Sequence, residues 1–472
     1  MGIPNIYCYF LVVSSYLREV YILSLIHKFN IDNIYIVLDI NSGAVHQVDI
    51  ITYDVLDYYP DSPKEAIINK LQNKYNAKEI EEVIEELDQL VNEELLFSKD
   101  TYGELTTKIN NNKVIKAICL HIAHDCNIRC KYCFASQGDF KGQRSLMSSE
   151  VGKKAIDFLI ENSGNRRNLE VDFFGGEPLL NFDVVKDIVS YARNIEKENN
   201  KNFRFTITTN ATLLTDEIMK YINDNMDNIV LSIDGNKNTN DYMRSTKNGK
   251  GTYDVILPKI KKMVENRGDK SYYVRGTFTK HNIDFSKDVI HLADQGFKQI
   301  SVEPVVTDPE QEYALSQEDL PFIFKEYEKL AKEYLQRKNN DIGFNFFHFM
   351  IDLFQGPCIQ KRLSGCGAGN EYIAITPEGD IYPCHQFVGD LDFNMGSVFE
   401  SKLNSSIQNN FKEANVLKKD KCSKCWARFY CSGGCHANAY NFNKDILIPY
   451  DVGCEMEKKR LECALMIQAQ LL

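Results

Sequence analysis

Three closely spaced cysteines, Cys126, Cys130 and Cys133, are the residues whose type and spacing most directly indicate chemistry. Three residues separate the first two and two residues separate the last two, so one short loop can bring three thiolates to three corners of an iron-sulfur cube. Cysteine thiolates are the usual protein ligands of such clusters. The fourth iron receives no ligand from this loop, which predicts that a substrate or cofactor binds there.

Length, charge and cysteine distribution limit the classes of function. The chain has 472 residues, enough for about three domains of roughly 150 residues each. Its net charge of −11 gives little support to a nucleic-acid partner, because such binding depends on clustered basic residues. The 14 cysteines concentrate between Cys126 and Cys133 and between Cys358 and Cys454, a clustering that indicates metal ligation rather than disulfide bonds.

Residues 1–25 form an uncertain N-terminal extension. Their apolar stretch, Ile6–Val13, is far shorter than the roughly 20 residues of a membrane helix. They also lack the basic start and the small-residue cleavage site of a secretory signal. The sequence therefore predicts a cytoplasmic protein without membrane contact.

Residues 26–105 have the pattern of a small domain in which helices follow a β-hairpin. The apolar run Ile34–Leu38 is followed by a turn at 41–43 and a return strand at 44–48. Three helical patterns come next, at 52–59, 63–74 and 77–94. This order suggests a winged-helix-like module.

Six apolar segments between residues 112 and 310 are predicted to be buried parallel strands, most of them followed by amphipathic helices. These strands are predicted at 117–123, 169–174, 203–208, 228–233, 272–279 and 300–304. Repeated βα units form a parallel sheet with right-handed crossovers, which predicts an α/β fold. In barrels built from such units the active site lies at the carboxyl ends of the strands.

The segment Gly175-Gly176-Glu177-Pro178 comes directly after the second of these strands. A tight strand-to-helix turn is the simpler explanation of two adjacent glycines. Glycine also lets the backbone approach a ligand closely, and the Glu177 carboxylate can accept charge-assisted hydrogen bonds from a cationic amine. Asn210 and Asp234, which follow later strands, could contact a ligand or simply cap or turn the chain.

The cysteine loop, followed one βα unit later by Gly175–Pro178, resembles the radical S-adenosylmethionine (SAM) superfamily. The resemblance implies a partial (β/α)6 TIM-type barrel and a 4Fe-4S cluster on Cys126, Cys130 and Cys133 whose open iron binds SAM. Glu177 would then hold the methionyl amine, Arg244 the carboxylate, and the backbone of Phe134 the adenine. The residues implied in cofactor binding are Phe134, Gly175, Gly176, Glu177, Thr209, Asn210, Ser232 and Arg244.

A second cysteine region, residues 358–472, follows a predicted helical bridge at 311–357. The pair Cys422 and Cys425 alone would fit a structural zinc site. Between Cys366 and Cys454, however, the region has seven ordered cysteines, more than one four-ligand site needs and one short of two. They are Cys366, Cys384, Cys422, Cys425, Cys431, Cys435 and Cys454.

The order of these cysteines resembles the SPASM extension of radical SAM enzymes, which implies two auxiliary 4Fe-4S clusters and three clusters in all. By this resemblance one auxiliary cluster, set A, uses Cys366, Cys384 and Cys435, with Gly379 at the position of the family's glycine. The other, set B, uses Cys422, Cys425, Cys431 and Cys454. Cys358 either supplies a fourth ligand to set A or leaves an iron open.

Segments 36–46, 121–136 and 369–386 resemble the maturases of SCIFF peptides, which are small cysteine-rich precursors. The resemblance implies a radical SAM oxidoreductase of the sactisynthase type, which forms a thioether between a cysteine sulfur and the α-carbon of a threonine. The N-terminal module resembles the pyrroloquinoline-quinone peptide chaperone, which implies that a precursor leader adds to its sheet edge as a strand.

An external one-electron reductant of the flavodoxin or ferredoxin type is the second partner that the resemblance implies. Two other functions remain open at this point. An anaerobic sulfatase-type maturase would oxidise cysteine or serine to formylglycine after the same radical start. A non-enzymatic iron-sulfur electron carrier would explain the later cysteines but would give no role to Gly175–Pro178.

Overall fold

The computed structural model describes residues 25–102, 114–353, 359–400 and 402–471. The expectations for the N-terminal extension before residue 25 and for Cys358 lie outside these ranges. The boundaries of the predicted domains stay predictions.

The N-terminal module is a three-stranded antiparallel sheet followed by three helices. Its strands are β1 (Ile26–Ile31), β2 (Ile34–Asp39) and β3 (Val45–Val48), in that spatial order. Its helices are α1 (Ile50–Val55), α2 (Lys64–Leu71) and α3 (Ala77–Asn92). The side chain of Asn76 caps α3 and so satisfies one of the free amides at the start of the helix. The predicted hairpin is confirmed, and β1 is an additional strand.

The two faces of this sheet pack in different directions. Val37 and Ile26 pack with the apolar faces of α1–α3 in a core of the module's own. Phe29, Ile36 and Leu38 belong instead to the main core of the chain. One face of the sheet is therefore buried by the module's own helices and the other face by the rest of the molecule. Removal of the module would expose apolar surface on the remaining chain.

The central part of the chain forms the predicted parallel sheet. The strands of this part of the chain are β4 (Ala117–Ala123), β5 (Ile128–Cys130), β6 (Asn168–Gly175), β7 (Asn202–Thr209), β8 (Asn228–Ser232), β9 (Arg244–Thr246), β10 (Tyr273–Phe278), β11 (Gln299–Pro304) and β12 (Asn345–Phe346). The order β4-β6-β7-β8-β10-β11 is parallel throughout. All six predicted strands are thus confirmed. The short strands β5 and β9 pair separately, in antiparallel fashion.

Helices connect these strands and cover the outer face of the sheet. They are α4 (Ser149–Asn162), α5 (Phe182–Ile195), α6 (Asp216–Asn225), α7 (Lys237–Met243), α8 (Tyr253–Arg267), α9 (Ser286–Asp294) and α10 (Leu320–Asn339). Alternate residues of the strands, such as Val171 and Phe173 of β6, are fully buried in the core beneath them. The residues between, such as Asp172 and Phe174, face the opposite side, the concave interior of the partial barrel.

The C-terminal region extends the same sheet. Its strands are β13 (Tyr372–Ile375) and β14 (Ile381–Tyr382), and its helices are α11 (Ile359–Ser364), α12 (Ser405–Glu413), α13 (Asp420–Ser423), α14 (Arg428–Cys431), α15 (His436–Asn443) and α16 (Asp451–Leu471). Strand β13 pairs in parallel with β4, so this hairpin adds two strands to the open edge of the barrel. None of the helices in the described ranges is both long and apolar enough to span a bilayer.

Helix α16 and the adjacent cysteine loops also join the C-terminal region to the N-terminal module. The His27 ring of β1 stacks on Trp426, with ring centroids 3.8 Å apart and planes 4° apart. The same imidazole lies 3.0 Å from a carboxylate oxygen of Glu462. A guanidinium nitrogen of Arg428 donates a 2.7 Å hydrogen bond to Asn41. The N-terminal module therefore packs directly against the second cysteine region.

Candidate cofactor and iron-sulfur sites

The first cysteine loop is fixed by a small antiparallel pairing. Strand β5 places Cys130 opposite Arg244 of β9. The guanidinium of Arg129 donates a 2.7 Å hydrogen bond to the carbonyl of Cys126, while the amide of Cys126 donates to the Asp125 carboxylate. The loop therefore holds its shape through its own polar contacts.

Two thiols of this loop, those of Cys126 and Cys130, lie in an environment that disfavours the free thiolate. Burial raises the pKa of Cys126 to about 11, and negative charge on Glu177 and Cys133 adds to the effect. Burial likewise raises the pKa of Cys130 to about 12, although the positive charge of Arg244 opposes the shift. Metal ligation requires the thiolate form, so the positive charge of cluster iron would supply what the chain itself lacks here. The residues present thus fit a cluster.

The two glycines of the Gly175–Pro178 segment are required by the cysteine loop itself. A β-carbon on Gly175 would lie 2.4 Å from the Ala123 carbonyl oxygen, and one on Gly176 would lie 2.1 Å from that of Asp125. The amide of Gly176 donates to Ala123 at 2.7 Å and the amide of Glu177 donates to Asp125 at 2.9 Å. This close packing places Glu177 beside Cys126.

Glu177 is fully buried and is held by three donors. Its carboxylate accepts hydrogen bonds from the Thr209 hydroxyl at 2.7 Å and from the amides of Asn210 at 2.8 Å and Leu179 at 3.1 Å. Burial nevertheless raises its pKa to about 7. A cation next to this carboxylate would favour its charged form, so the site fits an amine such as that of SAM.

Thr209 and Asn210 support Glu177, and their predicted contact with the cofactor stays a prediction. Both contact Glu177 and so position the carboxylate. The Asn210 side-chain amide also donates to Asn127 at 2.9 Å and lies 3.7 Å from the Cys126 sulfur. These two residues therefore link the Glu177 carboxylate to the cysteine loop.

A buried triad of Tyr132, Asp234 and Arg244 forms the other side of the site. The Arg244 guanidinium is 7% exposed and donates to the Tyr132 hydroxyl at 2.9 Å. That hydroxyl donates to the Asp234 carboxylate at 2.7 Å. Burial raises the pKa of Asp234 to about 6, and Arg244 opposes the shift. The sequence did not indicate Tyr132, although it stands between two residues of the cysteine motif.

Arg244 retains one unsatisfied donor. Among the described residues its Nε is buried without a hydrogen-bond partner. A buried unpaired N–H costs free energy, and a guanidinium matches a carboxylate in charge and geometry. The predicted contact between Arg244 and the methionyl carboxylate therefore fits the structure.

Ser232 lies at the carboxyl end of a barrel strand, and Phe134 directly follows Cys133. Ser232 ends β8 and is level with Arg275 of β10. The Phe134 ring is 46% exposed and has its centroid 5.4 Å from the His385 ring and 6.3 Å from the Phe174 ring. His385 directly follows Cys384, so three aromatic rings connect the first cysteine loop to set A.

The later cysteines affect one another in the two groups that were predicted. Burial raises the pKa of Cys384, and negative charge on Cys435 and Cys366 raises it further. In set B, burial raises the pKa of Cys454 to about 11, with added effects of Cys422 and Cys425. The assignment of individual ligands stays a prediction.

Two other predictions from the sequence concern Gly379 and a structural zinc site. Gly379 has a φ of +95° in the turn between β13 and β14, a conformation that favours glycine. In the described ranges, no three His, Cys, Asp or Glu side chains converge on a single metal-ion position.

Comparisons with known proteins agree with this geometry. Residues 120–293 match the model of the Radical SAM superfamily, and residues 366–426 match SPASM, an iron-sulfur cluster-binding domain. A cysteine-type anaerobic sulfatase-maturating enzyme of Clostridium novyi is 25% identical over 66% of this chain and 86% of its own length. The radical SAM cyclopropyl synthase TigE of Paramaledivibacter caminithermalis is 22% identical over 83% of this chain and 84% of its own length.

A solved structure shows the same fold over a still larger share of the chain. Streptococcus suis SuiB bound to precursor peptide SuiA covers 90% of this chain and 97% of its own. The TM-score is 0.53 and the sequence identity is 17%. At this identity the likeness supports the fold alone.

Proposed function

We propose that this chain, an enzyme with a radical SAM domain and a SPASM domain, forms a thioether within a cysteine-rich SCIFF-type precursor peptide. Its cofactors are SAM and 4Fe-4S clusters, including auxiliary clusters in the SPASM domain. The proposed bond joins a cysteine sulfur to the α-carbon of a threonine in the same peptide. The proposal depends above all on one observation, the 5.4 Å separation of the Phe134 and His385 rings.

This separation matters because each ring directly follows a proposed cluster ligand. Phe134 follows Cys133, and His385 follows Cys384. Phe174 of β6 is the third ring of this aromatic row, and its centroid lies 5.2 Å from that of the His385 ring. A peptide that enters the barrel interior beside these rings would therefore lie between the SAM site and set A.

Thioether formation at an α-carbon has a fixed balance of atoms and electrons. A hydrogen atom leaves the α-carbon, a proton leaves the thiol, and one electron must pass to an acceptor as the C–S bond forms. When bound, SAM and a reduced cluster supply the 5′-deoxyadenosyl radical that takes the hydrogen atom, and an auxiliary cluster can take the electron. The chain's own residues would orient SAM, Glu177 at the amine and Arg244 at the carboxylate, while the aromatic row would line the path of the peptide.

The test is mass spectrometry of a SCIFF-type peptide after anaerobic incubation with reconstituted enzyme, SAM and a reductant. A thioether removes two hydrogens, keeps the sulfur and protects one cysteine from alkylation. A sulfatase-type activity, which the Clostridium novyi relative makes the second candidate, would instead remove sulfur from a target cysteine. An electron carrier would produce no 5′-deoxyadenosine. Either of these last two results would contradict the proposal.

We expect Arg244→Lys to weaken SAM binding. Lysine keeps the charge but loses the guanidinium fork and its free Nε. A charge-assisted hydrogen bond contributes roughly 1.5–3 kcal/mol, so the Kd for SAM should rise by about tenfold or more. Anaerobic titration calorimetry measures this, with iron content as the check on the cluster and the exposed Arg166→Lys as the matched control. Unchanged affinity would remove Arg244 from the proposed site.

The N-terminal module is proposed to bind the precursor leader along β3. The Asp39 amide donates a hydrogen bond to the Ala44 carbonyl, so Asp39 and Ala44 form a hydrogen-bonded pair. Hydrogen-bonded and non-hydrogen-bonded pairs alternate along the antiparallel strands β2 and β3. The amides of Val45 and Gln47 therefore point away from β2. These outward amides are free of the ladder, so β3 offers an edge to which a strand can add.

We expect Gln47→Pro to weaken leader binding without disturbing the β2–β3 ladder. Proline removes only the outward amide and is tolerated at sheet edges. Gln47→Ala is the matched control, because it keeps the amide and loses the same side-chain contact with Gln470. Fluorescence anisotropy of a labelled leader should show a Kd about tenfold higher for the proline variant. Equal Kd values for the two variants would exclude β3 as the binding edge.

A further inference from the structure

A buried lysine lies between the two later cysteine sets. Lys419 is 1% exposed and is one of the largest fully buried side chains of the described chain. In the described ranges no carboxylate lies within ion-pair distance of its ammonium group. A buried charge normally needs a partner, so the surroundings of Lys419 must supply one.

The ammonium group contacts the loop that joins the two sets. Its Nζ donates a 2.7 Å hydrogen bond to the Gly433 carbonyl and lies 3.5 Å from the His436 ring nitrogen. Gly433 stands between Cys431 of set B and Cys435 of set A. Ser432, Gly433 and Gly434 all have positive φ angles. The hydrogen bond from Lys419 therefore stabilises a tightly turned segment.

Cysteines of both sets are near enough to Lys419 to influence its charge. Burial lowers the pKa of its ammonium group below the usual value, and negative charge on Cys422 and Cys431 of set B and on Cys435 and Cys366 of set A only partly opposes this shift. Both sets therefore act on one cation. The neighbouring charged residue Lys418 is exposed and has no comparable position.

We propose that Lys419 is a positioning residue shared by both auxiliary sites, where its fixed positive charge raises the reduction potentials of both clusters. The inference rests on the proposed assignment of sets A and B. Reduction adds negative charge to a cluster, and a nearby cation in a poorly screened interior stabilises the reduced state. Lys419 would thus help an auxiliary site to accept the electron that thioether formation releases.

The test is an EPR-monitored redox titration of the reconstituted full-length enzyme, in which the change that SAM causes identifies the signal of the first cluster. Lys419→Met and Lys419→Gln remove the charge, and glutamine can still donate to Gly433. Lys419→Arg keeps the charge, and Lys418→Met is the exposed control. We expect more negative auxiliary potentials in the two uncharged variants and nearly unchanged ones in the arginine and Lys418→Met variants.

The possible outcomes separate the inference from the proposed function. Loss of auxiliary iron in both uncharged variants, but not in the arginine variant, also supports a requirement for the charge. Uncharged variants that load iron and titrate like the wild type would overturn the inference, as would equal shifts in the arginine variant. Wild-type protein without auxiliary clusters would instead contradict the assignment of sets A and B, and its iron content reveals this directly.

Discussion

The Cys130→Ala variant is expected to cleave no SAM above background. Cys130 belongs to β5, opposite Arg244, and its loss would leave two thiolates for the first cluster. Two ligands from one loop cannot hold the cube in place, so the cofactor would lose both its electron source and its binding iron. Chromatographic quantification of 5′-deoxyadenosine after anaerobic incubation with dithionite measures the effect.

The matched control for this variant is Cys463→Ala. Cys463 is fully buried in α16 and has no proposed cluster role, so its loss should leave SAM cleavage near the wild-type rate. Wild-type levels of 5′-deoxyadenosine from Cys130→Ala would show that the first cysteine loop does not form the site of radical generation.

The Cys425→Ala variant is expected to keep SAM cleavage but to lose crosslinking. Cys425 belongs to set B, whose members affect one another. Without this ligand the auxiliary acceptor fails, while the first cluster still receives electrons from an external reductant. We expect 5′-deoxyadenosine within about threefold of the wild-type amount and no peptide that is two hydrogens lighter.

Cys463→Ala again serves as the control, because it removes a buried thiol from the same region without touching set B. Both products should form normally in this variant. If Cys425→Ala crosslinks the peptide as fast as the wild type, set B takes no part in the electron balance of the reaction.

The barrel strands could be predicted from the sequence because each is a short apolar run between turn residues. Strand β1 could not, because His27, Lys28 and Asn30 interrupt its apolar pattern. Its burial comes from contacts with distant residues such as Trp426 and Glu462. Strands β13 and β14 form a local hairpin, but β13 pairs with β4, which lies more than 250 residues away in the sequence.

The cysteine motifs could be predicted because spacing along the chain determines their chemistry. The roles of their neighbours depend on packing that spacing does not encode. Gly176 approaches the backbone of Asp125, and Thr209 and Asn210 support Glu177. Lys419 is one lysine in a charged run, and only its burial distinguishes it from Lys418.

Radical formation of a thioether at a threonine α-carbon can be followed with an isotope. A SCIFF-type peptide with deuterium at the threonine α-carbon is incubated anaerobically with wild-type enzyme, SAM and reductant. We expect one deuterium in 5′-deoxyadenosine and a peptide that has lost that deuterium and one thiol hydrogen but no sulfur. Unlabelled 5′-deoxyadenosine together with a modified peptide that retains the deuterium would contradict this mechanism.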